Sequence, residues 1–253
     1  QSLAKGASNN IPQMPNLGNW VAPTLNVEEL ETRLRADTMA EFLHYAVGCM
    51  FGRYSLDAPG LILANQGEGL ADYLARVPEP SFDVDADNVI PVLDGDWFAD
   101  DITERFRKFL RVTFGEAKFQ ENLAFIEAAL GKDIRKWFTK DFFDYHVRRY
   151  KKRPIYWMFS SPKGTFNALI YVHRYRPDTV SVVLNDYLRE FISKLQSERL
   201  RLESELGHVR DAYAGSRSRL AELFAQNEAQ AAAAEAEAES TALALAETLL
   251  LAG

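Results

Sequence analysis

Arg148, Arg149, Lys151, Lys152 and Arg153 put five cations into six consecutive positions, and Lys163, Arg174 and Arg176 follow in the same stretch. Guanidinium and ammonium groups at that density suit phosphate oxygens, because each neutralised phosphate releases counterions and adds affinity that weakens with salt. The bland alternative is a solvated basic helix end, whose cations favour the negative pole of the helix dipole. Composition does not separate the two. Between positions 135 and 176 the chain carries 11 Lys and Arg against two Asp, a local charge of about +9 in a chain of net charge −7. Everything else must then sum to about −16, so the molecule is polarised and only a local surface suits nucleic acid.

Other chemistry is sparser. Tyr156, Trp157 and Phe159 could stack bases, although packing in a hairpin core is the favoured reading. Lys163 stands in a Ser/Pro/Gly turn without the G-x-x-x-x-G-K-[ST] arrangement, so it can reach a phosphate but forms no nucleotide loop. His44, His146, His173 and His208 are scattered, with no metal-ligand spacing, and Cys49 in an apolar run reads as core. Asp83, Asp85 and Asp87 imitate the start of a calcium loop, but Asn88 and Asp94 fill the places that need Gly and Glu, so a solvated acidic turn is expected. Arg53 is open between a structural and a functional role. No metal site and no nucleophilic triad is proposed.

The elements that must position these residues are read from periodicity. Apolar runs at 155–159 and 166–172, split by the Ser/Pro/Gly cluster, give a β-hairpin at about 154–173 with both faces covered. Asn26 caps a helix through Leu30, Leu34, Phe42 and Leu43, and a brief helix follows over 67–76. A short strand is possible at 89–93. Ile102, Phe106, Phe109 and Leu110 share a helical face after Asp100 and Asp101; residues 122–130 form another helix closed by Gly131, and 133–150 a further one. Asp178 is expected to cap the next helix, where Leu184, Leu188, Phe191, Leu195, Leu202, Leu206, Val209, Tyr213, Leu220 and Phe224 keep heptad spacing. Gly207 and Gly215 leave a long helix and a helical hairpin both open. The expected fold is therefore α+β and predominantly helical: helices flanking a β-hairpin, followed by a long heptad-bearing helix or helical hairpin. The domain reading is an extended lead-in over 1–25, a helical domain over 26–176, the long helix or hairpin over 177–226, and an Ala/Glu-rich tail over 227–253.

With 47% hydrophobic and 26% charged residues, the chain can bury a sizeable core. It has no apolar run long enough for a membrane span and no signal pattern, and its lone cysteine excludes an internal disulfide. A cytoplasmic location without membrane contact is expected.

Three blocks carry a resemblance: VGCMFGRYSLDAPGLILANQGEGL at 47–70, ALGKDIRKWFTKDFFDYHVRRYKKRPIYW at 129–157, and KKRPIYWMFSSPKGTFNALIYVHRYRPDTVSVVLNDYLREFI at 151–192. In this order they resemble the C-terminal part of the PglX proteins, adenine-specific DNA methyltransferases of the BREX phage-defence system, over roughly 38–194. The resemblance implies S-adenosylmethionine as cofactor of the full-length family, double-stranded DNA as a partner and other BREX proteins as possible partners. The family's catalytic apparatus, a Gly-rich F-x-G-x-G loop and an Asn- or Asp-Pro-Pro-Tyr motif that holds the flipped base, has no counterpart here, where no Pro-Pro pair occurs. Beginning at Gln1, the chain reads as a piece of a larger enzyme that does not itself catalyse. It would support DNA binding or complex assembly, with Arg148, Arg149, Lys151, Lys152, Arg153, Lys163, Arg174 and Arg176 as candidate DNA contacts. The alternative is a helical protein–protein interaction module with no nucleic-acid contact.

Overall fold

The computed structural model describes residues 26–251, with side chains through residue 237. The lead-in expected over 1–25 lies outside them, as do the side chains at the end of the Ala/Glu-rich tail. The chain divides between Tyr187 and Leu188 into two units.

In the first unit, helix α1 (Val27–Met50) opens on a capping box: the Asn26 side chain accepts from Glu28 N and Glu29 N, and the Glu29 carboxylate accepts from Asn26 N. Its first half is exposed. From Ala40 onward it enters the core, where Leu43, Ala46, Val47 and Met50 are fully buried and Glu41 keeps the one exposed charge. A brief helix α2 (Leu70–Arg76) lies within the segment expected to hold one. The Asp101 side chain caps helix α3 (Ile102–Phe114), accepting from Thr103 N and Glu104 N at 2.9 Å each. Ile102, Phe106, Phe109 and Leu110, the face read from spacing, are its buried face. Phe106 and Phe109 meet Phe42 of α1 edge-on or tilted at 6.2 and 5.8 Å between ring centroids. Helix α4 (Phe119–Leu130) ends on Gly131 in the left-handed region, as expected of that glycine.

The segment expected as one helix over 133–150 is two: α5 (Ile134–Lys140), capped by Asp133, and α6 (Phe142–Arg149). The break at Asp141 brings Phe142 onto Trp137 and Phe138, with ring centroids 5.9 Å apart in both pairs. Asp141 itself takes φ −117°, away from the helical value of about −63°, and this interrupts the helix there.

Strands β1 (Ile90–Pro91), β2 (Tyr156–Ser160) and β3 (Asn167–Tyr171) form an antiparallel sheet in the order β1-β3-β2. Tyr156 faces Tyr171 and Ser160 faces Asn167, which sets the hairpin register, while Ile90 faces Leu169. Central β3 buries Ala168, Leu169, Ile170 and Tyr171 completely, matching its near-continuous apolar sequence. Pro91, which has no N–H to donate, stands on an edge strand.

Helix α7 (Thr179–Val182) follows Asp178, but that carboxylate pairs with Arg176 at 2.7 Å instead of capping the helix. A π-helical stretch covers Val183–Leu188. The second unit is helix α8 (Arg189–Leu251), in which Gly207 and Gly215 sit in unbroken helix; of the two alternatives, the long helix is the one observed. Leu202, Leu206, Val209, Tyr213, Leu220 and Phe224 are all exposed along it. The fold is α+β and mostly helical, as the sequence predicts. Among the described residues, no helix is long and apolar enough to cross a membrane.

Candidate functional site

Helix α6 sends His146 inward and Arg148 and Arg149 outward. The His146 Nε2 accepts from Ile155 N at 3.1 Å and Tyr156 N at 3.0 Å, so that nitrogen carries no proton. Its proton must then sit on Nδ1, which donates to His44 Nε2 at 2.9 Å. His44 in turn keeps its own proton on Nδ1. Burial lowers His44 to about 4, assisted by the positive charges of Arg149 and Arg53, and lowers His146 to about 3, assisted by His44 and Arg53. Both rings are neutral at physiological pH.

One imidazole thus ties the last turn of α6 to the start of β2 and closes the intervening segment, 147–154, on a fixed base. Lys152 N donates to Val147 O at 2.9 Å and Arg153 N to Tyr150 O at 2.9 Å, wrapping the chain tightly off the helix end. To do so Lys151 and Lys152 take φ of 49° and 65°, the left-handed region that glycine normally fills.

Arg148, Arg149, Lys151, Lys152, Arg153, Lys163 and Arg176 are all exposed. Arg149 pairs with Glu41 of α1 at 2.6 Å and Arg176 with Asp178. Among the described residues no carboxylate forms an ion pair with Arg148, Lys151, Lys152, Arg153 or Lys163. Arg174 stands apart: it is 5% exposed and donates to Phe51 O at 3.3 Å and Ala86 O at 3.2 Å, so it braces the interior and offers no phosphate contact. Of the three aromatics, Tyr156 is fully buried and Phe159 half-buried, while Trp157 is 50% exposed with its indole N–H held by Pro154 O.

The acidic turn is engaged by the protein itself. Asp83 pairs with Lys108; buried Asp85 pairs with Arg105 and accepts from Val89 N; Asp87 accepts from Val89 N and the Tyr187 hydroxyl. Among the described residues, no group of three or more His, Cys, Asp or Glu is placed to hold a metal. Cys49, 2% exposed, packs in the core. The His44–His146 pair escaped sequence reasoning, which found the histidines scattered. Separated by 102 positions, they share no local spacing, and only the packing of α1 on α6 joins them.

No family model matches the chain. It is similar to the adenine-specific methyltransferase BrxX of Escherichia coli O9:H4 (strain HS), at 39% identity over 204 residues, which cover 74% of this chain and 17% of that protein. It is also similar to the adenine-specific methyltransferase PglX of Lacticaseibacillus casei (strain Zhang), at 42% identity over 158 residues, 58% of this chain and 13% of that protein. The resemblance read from the three blocks is borne out. The matched region is a small part of either relative.

Proposed function

We propose that this chain is a non-catalytic part of a BREX adenine-specific DNA methyltransferase, and that it holds duplex DNA by phosphate contacts from the 148–153 segment. The likeness to BrxX and PglX supports a BREX-related role. The observation that carries the finer reading is the exposed run Arg148, Arg149, Lys151, Lys152 and Arg153 on a segment closed by His146. Lys163 and Arg176 are further candidates for phosphate, and Trp157 is the aromatic available for stacking. Such contacts orient a duplex without reading its sequence.

Gly48 and Gly52 leave no room for S-adenosylmethionine, the cofactor expected of the full-length relatives. A Cβ on Gly48 would stand 2.3 Å from the Tyr54 ring, and one on Gly52 within about 3.1 Å of Val84, Leu63 and Tyr73, so protein side chains fill the space a cofactor would need. Methyl transfer is assigned to other parts of a longer protein.

Replacing Arg148, Arg149, Lys151 and Lys152 with Glu tests the reading. Duplex binding is expected to disappear while circular dichroism stays unchanged, since all four side chains are exposed and only the surface Arg149–Glu41 pair, worth about 1 kcal/mol or less, is lost. Unchanged affinity in a folded variant contradicts it. A second reading, a docking helix for another protein, is favoured by the exposed apolar residues Leu202, Leu206, Val209, Tyr213, Leu220 and Phe224 of α8. Capture of a BREX subunit that is lost on Leu206→Glu and Val209→Glu substitution supports that reading.

A further inference from the structure

The three stretches that carry the resemblance meet at one side chain, Arg53. Its Nη1 donates to the Tyr171 hydroxyl at 2.8 Å, and that hydroxyl passes its own proton to Leu63 O at 2.8 Å. The guanidinium lies 5.6 Å from the centroid of the Tyr54 ring and 6.0 Å from that of Tyr171, and Tyr54 and Tyr150 also bring their hydroxyls to it. Among the described residues no carboxylate pairs with Arg53, although it is half-buried. A cation withdrawn from water without a counter-charge is costly, and the usual remedy is an anion. Its field is felt nearby: after burial itself, Arg53 helps hold His44, His146 and His173 below the ordinary imidazole range.

Unmet hydrogen-bonding capacity gathers at the same place. Arg53 Nε, the Tyr156 hydroxyl and His173 Nδ1 are buried without a protein partner, and Tyr156 itself is 0% exposed. The His173 ring stacks obliquely on Tyr171 at 4.9 Å. Gly48 lets the Tyr54 ring close against the helix backbone: a Cβ there would strike that ring and stand 3.4 Å from the Tyr156 hydroxyl.

We propose that Arg53, with Tyr54, Tyr150, Tyr156 and His173 around it, forms a site for a single phosphate group. The guanidinium supplies charge and a planar fork, and the phenols supply additional donors. The phosphate comes either from a DNA backbone or from a free nucleotide. The choice of phosphate over another oxyanion rests on the DNA reading above; the site takes Tyr150 from the 148–153 segment but none of that segment's five cations.

The test titrates the whole chain with inorganic phosphate, with adenosine monophosphate and with duplex DNA. Wild type is compared with Arg53→Gln, Tyr150→Phe and the fourfold Glu variant, each checked by near-ultraviolet circular dichroism. Arg53→Gln is expected to weaken phosphate or nucleotide binding at least tenfold, Tyr150→Phe several-fold, and the fourfold Glu variant little. Loss of duplex affinity in Arg53→Gln assigns the site to a backbone phosphate; loss confined to adenosine monophosphate assigns it to a nucleotide. If Arg53→Gln does not fold, Tyr150→Phe decides, because it removes only a hydroxyl from a half-exposed ring. No phosphate binding by wild type, or equal binding by the variants, overturns the site. Unchanged duplex binding in the fourfold Glu variant overturns the basic-segment reading instead.

Discussion

His146 accepts two backbone hydrogen bonds on one ring nitrogen and donates from the other, so replacing it disturbs three groups at once. His146→Phe keeps the aromatic packing but leaves the amides of Ile155 and Tyr156 without their acceptor. A loss of about 2–4 kcal/mol is expected in urea unfolding, from unmet buried donors at roughly 1–3 kcal/mol each. The same residues give the stability a pH dependence. Folded values of about 4 for His44 and about 3 for His146 lie below the ordinary 6.5, so below pH 6.5 the unfolded chain binds more protons than the folded one. Their contribution is therefore complete above pH 6.5 and drains away as pH falls toward 4, by an amount on the order of a few kcal/mol. Denaturant midpoints measured between pH 7 and 4.5 should fall in wild type and fall less in His146→Phe. The residue scale is also where sequence reading reaches least far. Arg174 and Arg176 look alike in the sequence, yet one is an internal brace to two carbonyls and the other is exposed, because burial is decided by the distant segments that pack around them.

Local capping chemistry depends on neighbours only and was legible at Asn26 and, with Asp100, at Asp101; Asp133, whose helix was read without a cap, accepts from the amides two and three positions on in the same way. Asp178 departs from that pattern because the Arg176 guanidinium, two residues away, takes its carboxylate. The break at Asp141 was hidden, because no Gly or Pro marks it. The left-handed Lys151 and Lys152 offer a direct test of how the element joining α6 to β2 divides its burdens. Changing both to Gly is expected to raise stability by about 1–2 kcal/mol in total by relieving strain, while weakening DNA binding through the loss of two cations. A destabilised double variant would mean that the lysine side chains hold the loop. On α8, Gly207→Ala and Gly215→Ala should each raise helix stability by roughly 1 kcal/mol, since a Cβ at either position meets nothing within 4 Å. Thermal melts followed at 222 nm read that change.

At the scale of the molecule, an acidic chain gathers a net positive excess in one stretch and leaves most of that stretch's exposed cations without a carboxylate partner. Five phosphate contacts from Arg148, Arg149, Lys151, Lys152 and Arg153 would release counterions in proportion. The logarithm of duplex affinity should then fall with the logarithm of salt at a slope of about −4 to −5, a loss of roughly two to three orders of magnitude between about 50 and 200 mM. The measurement to make is this slope, on a duplex of arbitrary sequence, for the wild-type chain and the fourfold Glu variant. A steep slope in wild type, with binding gone in the variant, is the expected result. A shallow slope, or equal binding by the two proteins, contradicts a phosphate grip by this segment.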